Sequence, residues 1–337
     1  MNCPTCGGDC IQPSEKILDE IYGMYAACAS CPPDPMYDKN APFHEKIDNN
    51  QGRCKKCGRR HIDLVIGNVL SILEGEGLFP EDAALKEVGT PLIAFGYQVP
   101  YPPRIGKNML ILIMDSITKT LSDRIITDVP EVRGVIKRKG LPSKSIGILD
   151  TDSMPHTYEL LSGCDMRCDI VSSTFGELCV YKNQSKVHIE FNNTKIPKIE
   201  RLYLNGDLDN AAVVDGFCGP GTLGLMCALG GARKVILNDA WLPALQNAIL
   251  NLKANKNLLG VNIEFELADY DKLIGDEPVL LAKAQGNAEI LVYHSDIRKL
   301  GKAIKECDLC LIDTFPAVNP TEYASRCRDF AKKVVII

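Results

Sequence analysis

Three features are scarce in this chain of 337 residues, and each scarcity excludes a class of protein. No apolar run reaches the roughly 18 residues that a membrane-spanning helix requires. The N-terminal stretch MNCPTCGGDC lacks the apolar core of a secretory signal peptide. Basic residues number 38 against 43 acidic ones, and the net charge is −5. We therefore expect a cytoplasmic protein without membrane contact. The acidic balance argues against a bulk nucleic-acid binder but is compatible with a local basic patch.

The remaining composition is that of an ordinary globular protein, except for the cysteines. Hydrophobic residues make up 45% and charged residues 24%, and the length predicts two or three domains. Fifteen cysteines are many for a reducing compartment, where thiols usually bind metals or fill apolar cores. Seven lie within the first 57 residues, and the other eight are scattered among apolar neighbours. We therefore expect metal binding near the N-terminus and core positions elsewhere.

Residues 1–61 form a cysteine-rich module with three C-x-x-C pairs: Cys3 and Cys6, Cys28 and Cys31, Cys54 and Cys57. Glycine follows the first and third pairs, as in zinc knuckles, so we expect these two pairs to form one four-thiolate, ribbon-like zinc site. The middle pair is then available for a second metal with Cys10 and His44, or for an iron–sulfur cluster. Four thiolates leave no open position on zinc, which favours a structural role over a catalytic one. Free thiols are the alternative.

Five basic or imidazole side chains surround and follow the third pair: Lys55, Lys56, Arg59, Arg60 and His61. A solvated surface is the favoured interpretation of these residues. Contact with RNA phosphates is the alternative.

Residues 62–185 predict a helix followed by a small α+β domain. Apolar residues between Ile62 and Leu73 repeat with a helical period, and short β-like runs follow from residue 108. Cys164 and Cys168 lie in this region four residues apart. Because no second pair lies nearby in the sequence, we interpret them as structural.

The stretch from Ala211 to Asp239 predicts a strand, a glycine-rich loop, a helix and a second strand, in that order. The loop glycines are Gly216, Gly219, Gly221 and Gly224. Glycine allows backbone amides to approach a ligand where a Cβ would clash. A parallel βαβ unit that binds an adenosine-type ligand has this order, and Asp239 lies where an acid accepts hydrogen bonds from the ribose hydroxyls. A purely structural turn is the alternative.

The loop sequence D-G-F-C-G-P-G, which begins at Asp215, resembles motif I of class I S-adenosylmethionine-dependent methyltransferases, most closely the archaeal tRNA guanine methyltransferases. The continuation GARKVILNDAWLPALQNAILNLKANK is similar to the same group, and the resemblance covers roughly residues 186–337. It implies S-adenosylmethionine as the cofactor, with Asp215 at its methionine end, Gly219 and Gly221 along its backbone and Asp239 at its ribose. Phe217 is a further cofactor-binding position of this motif.

Two later segments compete for the third strand of this domain, VNIEFELADY with Asp269 and EILVYHSDIRKL with Asp296. The family has an acid after this strand for the adenine amino group, and we choose Asp296 because its segment directly precedes the next strand. Residues 269–287 are then an insertion. The fourth strand ends in Asp313-Thr-Phe-Pro316, which partly resembles the Asn/Asp-Pro-Pro-aromatic motif of amino-methyltransferases. The resemblance implies that Asp313, with Pro316, orients the acceptor or that Asp313 acts as general base. A helix-capping acid is the alternative.

Three asparagines, Asn247, Asn251 and Asn255, recur at four-residue spacing on the helix predicted after Asp239. We interpret them as a solvated helix face rather than as contacts to cofactor or substrate.

The final residues, AKKVVII, predict a fifth strand, whereas the family continues with a helix and a hairpin. We therefore expect a partner subunit or a second copy at this edge, or a fold used without methyl transfer. The predicted fold class is α/β: a zinc-ribbon-like module, a small α+β middle domain and a Rossmann-like methyltransferase domain lacking its last two strands.

The predicted function is methyl transfer from S-adenosylmethionine to RNA or to a small cofactor precursor. The cysteine-rich character also resembles the methyltransferase-like proteins that methanogenic archaea use to mature the iron–guanylylpyridinol cofactor. The alternative function is a non-methylating accessory protein or metal carrier that retains a nucleotide-binding fold.

Overall fold

The computed structural model of the protein describes residues 1–138, 158–187, 195–314 and 318–337. The helices are α1 Ser14–Met24, α2 Ile62–Gly75, α3 Lys119–Asp128, α4 Ile196–Leu204, α5 Thr222–Leu229, α6 Leu242–Ala254, α7 Lys256–Leu259 and α8 Thr321–Cys327, with 3₁₀ helices at Leu85–Glu87 and Ile297–Lys302. The first nine strands are β1 Arg60–His61, β2 Thr90–Ile93, β3 Phe95–Gly96, β4 Arg104–Ile105, β5 Leu110–Met114, β6 Val132–Arg138, β7 Tyr158–Gly163, β8 Met166–Ser173 and β9 Gly176–Asn183. The others are β10 Ala212–Asp215, β11 Lys234–Asp239, β12 Val261–Glu266, β13 Val279–Gly286, β14 Glu289–His294, β15 Cys307–Ile312 and β16 Ala331–Ile336. Among the described helices, none combines the length and the apolar character needed to span a bilayer.

The C-terminal part is built on a seven-stranded sheet in the order β12-β13-β14-β11-β10-β15-β16. The five strands from β14 to β16 run parallel, so their carboxyl ends meet at one edge. The chain leaves β10 toward β11 and β14, then returns to the other side of β10 for β15 and β16. This reversal of strand order opens a crevice at the carboxyl ends of β10 and β15, where ligands bind in open α/β sheets.

The α/β class predicted from the sequence is confirmed, and so is the choice of the third parallel strand. β14 pairs with β11 in parallel over six residues, from Lys234 opposite Glu289 to Asp239 opposite His294. The predicted insertion, residues 269–287, contains β13, which pairs antiparallel with β14, and β12 before it extends the same sheet by one more antiparallel strand. The division into three domains stays a prediction.

The N-terminal half contains a four-stranded sheet, β2-β5-β6-β7, a three-stranded sheet, β3-β8-β9, and the short pair β1-β4. A single buried cluster runs from Cys3 through α1 and α2 to Tyr181 of β9. The cysteine-rich segment and the middle sheets therefore share one hydrophobic core. Helix α2 is buried on almost every side, which explains why its sequence is apolar nearly throughout.

The basic residues after the third C-x-x-C pair are not the solvated surface that was expected. Arg60 and His61 are 0% and 2% exposed. The Arg60 guanidinium donates to both carboxylate oxygens of Glu131 at 2.8 and 3.0 Å, and Arg53 contacts the same carboxylate at 2.8 Å. Only Lys55 and Lys56 of the five are well exposed. Of the five residues, Arg60 thus neutralises a buried acid, together with Arg53, which precedes the cysteine pair.

Replacing Glu131 with alanine leaves the Arg60 guanidinium buried without its counterion. Breaking a buried ion pair by removing one partner costs about 3–5 kcal/mol. We expect Glu131→Ala to lower the free energy of unfolding by that amount, as measured by urea denaturation followed by circular dichroism. Glu20→Ala, at an exposed acid of α1, is the matched control and should change it by less than about 0.5 kcal/mol. Equal effects of the two variants would contradict the buried pair.

Candidate functional site

The glycine loop between β10 and α5 exposes its backbone at one glycine, and the next helix packs closely at another. Gly219 and Gly221 have φ angles of +53° and +86°, which favour glycine. A Cβ at Gly219 would meet no atom within 4 Å, so the loop exposes its backbone at that position. At Gly224 a Cβ would lie 2.2 Å from Cδ2 of Leu237, so glycine there lets α5 pack against β11. Gly219 therefore marks the face on which a ligand can lie.

Asp215 ends β10 and is completely buried. Its Oδ2 accepts a hydrogen bond from the Gly224 amide at 2.8 Å, whereas its buried Oδ1 has no hydrogen-bond partner among the described residues. Burial, followed by repulsion from Asp313, raises the pKa of Asp215 to about 7. A buried carboxylate with a free oxygen is stabilised by a cation, and the ammonium of an amino-acid group fits this need.

Asp239, at the end of β11, fixes the shape of the loop. Its Oδ2 accepts from the Gly219 amide at 2.8 Å, and its Oδ1 accepts from the Trp241 amide at 2.8 Å. Burial raises the pKa of Asp239 to about 6, although these amides favour the charged form. Each carboxylate oxygen has two lone pairs, so both oxygens can still accept from the hydroxyls of a ribose.

Asn238 joins three strand ends and was not identified as a site residue from the sequence. Its Nδ2 donates to the carbonyls of Gly216 and Ser295, both at 3.1 Å, and its backbone carbonyl accepts from the Cys218 amide at 2.9 Å. Its side-chain oxygen has no hydrogen-bond partner among the described residues. Asn238 is 1% exposed. The only signal in the sequence is its position in an apolar strand just before Asp239. A side-chain amide that is buried in such a strand needs hydrogen-bond partners.

Asp296 directly follows β14, at the same sheet edge. Its carboxylate accepts from the Arg298 amide at 2.9 Å and pairs with the Arg298 guanidinium at 2.6 Å. Burial opposes ionisation, but these hydrogen bonds have the larger effect and lower the pKa of Asp296.

Arg298 also lies over the ring of Tyr323, and Phe217 packs edge-on against the same ring at 5.0 Å. Phe217 and Asp296 therefore belong to one side of the crevice, whereas the rejected candidate Asp269 is exposed. A role of Asp296 at an adenine stays a prediction.

Asp313 follows β15 on the other side of the crevice. Its Oδ2 lies 2.8 Å from Nζ of Lys195, the residue before α4, and its side chain is 13% exposed. Asp313 does not cap the next helix, because α8 begins at Thr321 and has Pro320 at its N-cap. Pro316 lies outside the described residues. Lys195 was missed by sequence reasoning because it is 118 residues away in the chain.

The asparagines of α6 are not a solvated face, and this interpretation was wrong. All three are at most 2% exposed. Their carboxamide oxygens accept from the amides of alternate residues of β9, at 3.0 Å for Asn247 with Asn183, 2.7 Å for Asn251 with Tyr181 and 3.0 Å for Asn255 with Cys179. Asn251 also donates to the carbonyls of Tyr181 at 3.0 Å and Pro220 at 2.8 Å. We call these contacts the asparagine ladder. It joins β9 to the helix behind the glycine loop.

The cysteines form two groups of four sulfurs, and within each group all sulfurs lie within 4.8 Å of one another. The groups are Cys28, Cys31, Cys54 and Cys57, and Cys3, Cys6, Cys10 and Cys164. The predicted pairing of the first with the third C-x-x-C pair is wrong, and Cys164, interpreted as structural, lies in the second group. His44 is exposed and belongs to neither group. Sequence spacing could not indicate a ligand more than 150 residues away.

The sulfur–sulfur distances of the first group suit one tetrahedral ion. They are 3.6 Å for Cys28 with Cys54, and 3.7 Å for Cys31 with both Cys28 and Cys57. Zinc–sulfur bonds of about 2.3 Å give tetrahedral edges of about 3.8 Å. A multinuclear iron–sulfur cluster holds its cysteines around several iron atoms and needs more room than this group offers. Cys307 and Cys310, the fourth C-x-x-C pair, are buried in β15, as expected for core residues.

No protein-family model and no curated protein sequence matches the chain. Among solved structures, the chain is similar to P. horikoshii TYW2 in complex with MeSAdo, with 18% identity over 80% of this chain and 78% of that one and a TM-score of 0.44. The complex of aTrm5 with tRNALeu has 17% identity over 68% of this chain and 55% of that one, at a TM-score of 0.39. The M. jannaschii tRNA m1G37 methyltransferase has 18% identity over 66% and 53%, at a TM-score of 0.36.

The chain spans just over half the length of the second and third structures. Superposition at TM-scores below 0.5 is too loose to transfer a ligand or an activity. Any function must therefore be argued from the residues of this chain.

The raised pKa of Asp215 predicts how stability depends on pH. An unfolded aspartate ionises near pH 3.9, whereas burial keeps the pKa of folded Asp215 at about 7. Between these values the unfolded chain releases its proton first, so the free energy of unfolding falls as the pH rises through this window. Asp215→Asn removes the effect. We expect the variant to lose about 2 kcal/mol less stability than the parent protein between pH 5 and pH 8. Urea titrations at both pH values measure this, and parallel losses would refute the assignment.

Proposed function

We propose that the protein transfers a methyl group from S-adenosylmethionine to a nitrogen of an RNA base. The observation that supports this cofactor is the open backbone face of Gly219, between the buried carboxylate of Asp215 and the partly buried carboxylate of Asp239. Asp215 offers a free buried oxygen for the ammonium of the methionine end. Asp239 offers its remaining lone pairs to the ribose. The hydrogen bond that it accepts from the Gly219 amide holds the loop next to this carboxylate.

When bound, the cofactor supplies a sulfonium methyl group, whose transfer requires alignment and exclusion of water more than acid or base strength. Residues of this chain provide both. Asp215 and Asp239 fix the two ends of the cofactor, while Phe217 and Tyr323 close one side with aromatic rings. Asp313, held by Lys195, accepts a hydrogen bond from the acceptor nitrogen and can take its proton.

A cavity of about 410 Å³ between the two halves of the chain supports a planar acceptor. Its volume falls within the range of ordinary small-ligand sites. Tyr22 and Tyr97 line it with aromatic rings and Glu177 with a carboxylate, groups that stack on a base and accept from its N–H groups. Ile196 and Pro197 also line it, directly after Lys195, which reaches Asp313. Lys195 thus connects the start of α4, which contributes to the cavity wall, to Asp313.

An RNA acceptor is favoured over a small molecule because the cavity is open at its rim. Tyr22 is 62% exposed. Lys198 and Arg201 lie on the exposed surface of α4, the helix that contributes to the cavity wall. Such side chains contact phosphates next to the bound base.

The alternative of a metal carrier has less support. A carrier must release its metal, which requires an exchangeable site. Four thiolates around one ion form a closed site that suits a structural metal, and we assign zinc to Cys28, Cys31, Cys54 and Cys57 in that role.

Cofactor binding is tested by calorimetric titration with S-adenosylmethionine and S-adenosylhomocysteine. Micromolar binding by the parent protein is expected. We expect Asp239→Ala to weaken it at least about 100-fold, because the variant loses the ribose contacts and the Gly219 hydrogen bond. Asp271→Ala, at an exposed acid, should bind like the parent protein. Absence of binding by the parent protein would disprove the proposal.

Methyl transfer is tested with labelled S-adenosylmethionine and unmodified tRNA transcripts. We expect Asp313→Asn to lower kcat by about 100-fold or more, as removal of a general base does, with little change in cofactor affinity. Asp209→Asn, at an exposed acid, is the control. Labelling of free nucleosides but not of RNA would show a small-molecule acceptor instead.

A further inference from the structure

We propose that Cys3, Cys6, Cys10 and Cys164 bind a second zinc ion, and that this ion stabilises the glycine loop from a distance. The thiols come from the first ten residues and from the turn between β7 and β8, and the separation of Cys10 from Cys164 is 154 residues. A metal there would fasten the N-terminus to the three-stranded sheet. The metal site stands independently of the proposed function, whereas its effect on cofactor affinity rests on it.

The distances between the sulfurs distinguish a disulfide from a metal site. Cys3 lies 3.6 Å and Cys10 lies 3.7 Å from Cys164, and Cys6 lies 3.2 Å from Cys10. A disulfide requires about 2.05 Å, so no pair is bonded. Tetrahedral zinc–thiolate geometry requires about 3.8 Å, close to what is found. Four soft thiolates at this spacing select a thiophilic tetrahedral ion and leave no open coordination position.

The backbone around Cys3 repeats that of the other cysteine group, which is an independent indication of metal binding. The Cys3 amide donates to the Gly8 carbonyl and the Gly7 amide to the Cys3 carbonyl, both at 2.8 Å. The Cys54 amide donates to the Arg59 carbonyl at 3.0 Å, and the Gly58 amide to the Cys54 carbonyl at 2.9 Å. Gly7 and Gly58 have φ angles of +69° and +72°. The two turns are the same zinc-knuckle conformation, at different places in the chain.

Contacts beside the second cysteine group lead directly to β9. Asp165, next to Cys164, is completely buried. It accepts hydrogen bonds from Thr5, between the first two cysteines, and from Asn183 of β9, both at 3.2 Å. The Gln12 amide donates to the Tyr181 hydroxyl at 3.0 Å, and that hydroxyl donates back to the Gln12 carbonyl at 3.0 Å. The N-terminal segment is therefore attached to both Tyr181 and Asn183.

The asparagine ladder carries this attachment to the cofactor site. Tyr181 and Asn183 are the residues whose amides donate to Asn251 and Asn247 of α6. The Asn251 carboxamide donates to the carbonyl of Pro220, between the two loop glycines of positive φ. If the N-terminal segment detaches, Tyr181 and Asn183 of β9 lose their side-chain contacts to it, and the support of Pro220 becomes less fixed. Loss of the ion thus allows the loop to open more often.

The experiment measures metal content and loop protection on the full chain. We expect two zinc ions per parent chain by elemental analysis, and one in Cys164→Ser and in Cys28→Ser, the matched variant of the other group. Amide hydrogen exchange of residues 216–224 should be about tenfold faster in Cys164→Ser, because local opening becomes more frequent, and nearly unchanged in Cys28→Ser. Asn251→Ala should keep both zinc ions and show the faster exchange. Neither readout requires the cofactor.

Several outcomes would overturn the proposal. Two zinc ions in Cys164→Ser, or iron in place of zinc, would disprove the zinc site. Loss of one ion with unchanged exchange in the loop would disprove the coupling. If Cys164→Ser does not fold, cobalt titration of the metal-free parent chain decides the site, because two equivalents with thiolate charge-transfer bands are expected and one would overturn it. Failure of the parent protein to bind S-adenosylmethionine would affect only the proposed function.

Discussion

A strand at the margin of a sheet leaves the amide and carbonyl of every second residue without a strand partner, and β9 is such a strand. Its outer edge meets α6, and a helix has no free backbone groups along its length to complete the pairing. The asparagine ladder solves this because each carboxamide offers both a donor and an acceptor. Four helical residues rise about 6.0 Å and two strand residues about 6.6 Å, so the two repeats stay nearly in step over three rungs. The buried contact joins the N-terminal half to the parallel sheet.

Four carboxylates lie close to one another at the carboxyl edge of the parallel sheet. Asp215 and Asp239 end two of these neighbouring strands, and Asp296 and Asp313 come just after the two others. The four carboxylates differ in the contacts that stabilise them. Asp296 is paired with Arg298 and Asp313 with Lys195, and Asp239 accepts backbone amides. Asp215 has one oxygen that finds no partner in the described part of the chain. Among the four carboxylates, Asp215 is thus the one with an oxygen left for a ligand, and a cationic ligand group has the most to contribute there.

The cysteine groups and the rest of the molecule are stabilised by different kinds of interaction. The asparagine ladder and the apolar cores satisfy backbone groups and bury surface, and they need no added component. The two cysteine groups bring thiols within 4.8 Å of one another at loops that have little core of their own. Loops of this kind are commonly held by metal–thiolate bonds. The middle sheets are therefore held on one side by side-chain amides and on the other by the cysteine-rich loops.

The sequence alone determined the features that depend on neighbours along the chain. The strand–loop–helix order around Asp215, the third strand ending before Asp296 and the knuckle turns are local patterns, and their periodicity or spacing is visible in one dimension. Only the tertiary structure decided which distant groups meet. Cys164 completes a cysteine group that begins at Cys3, and Lys195 pairs with Asp313. The asparagines of α6 proved to be buried because a strand edge some 70 residues earlier in the chain required partners. A four-residue spacing states which residues share a helix face, but not what that face contacts.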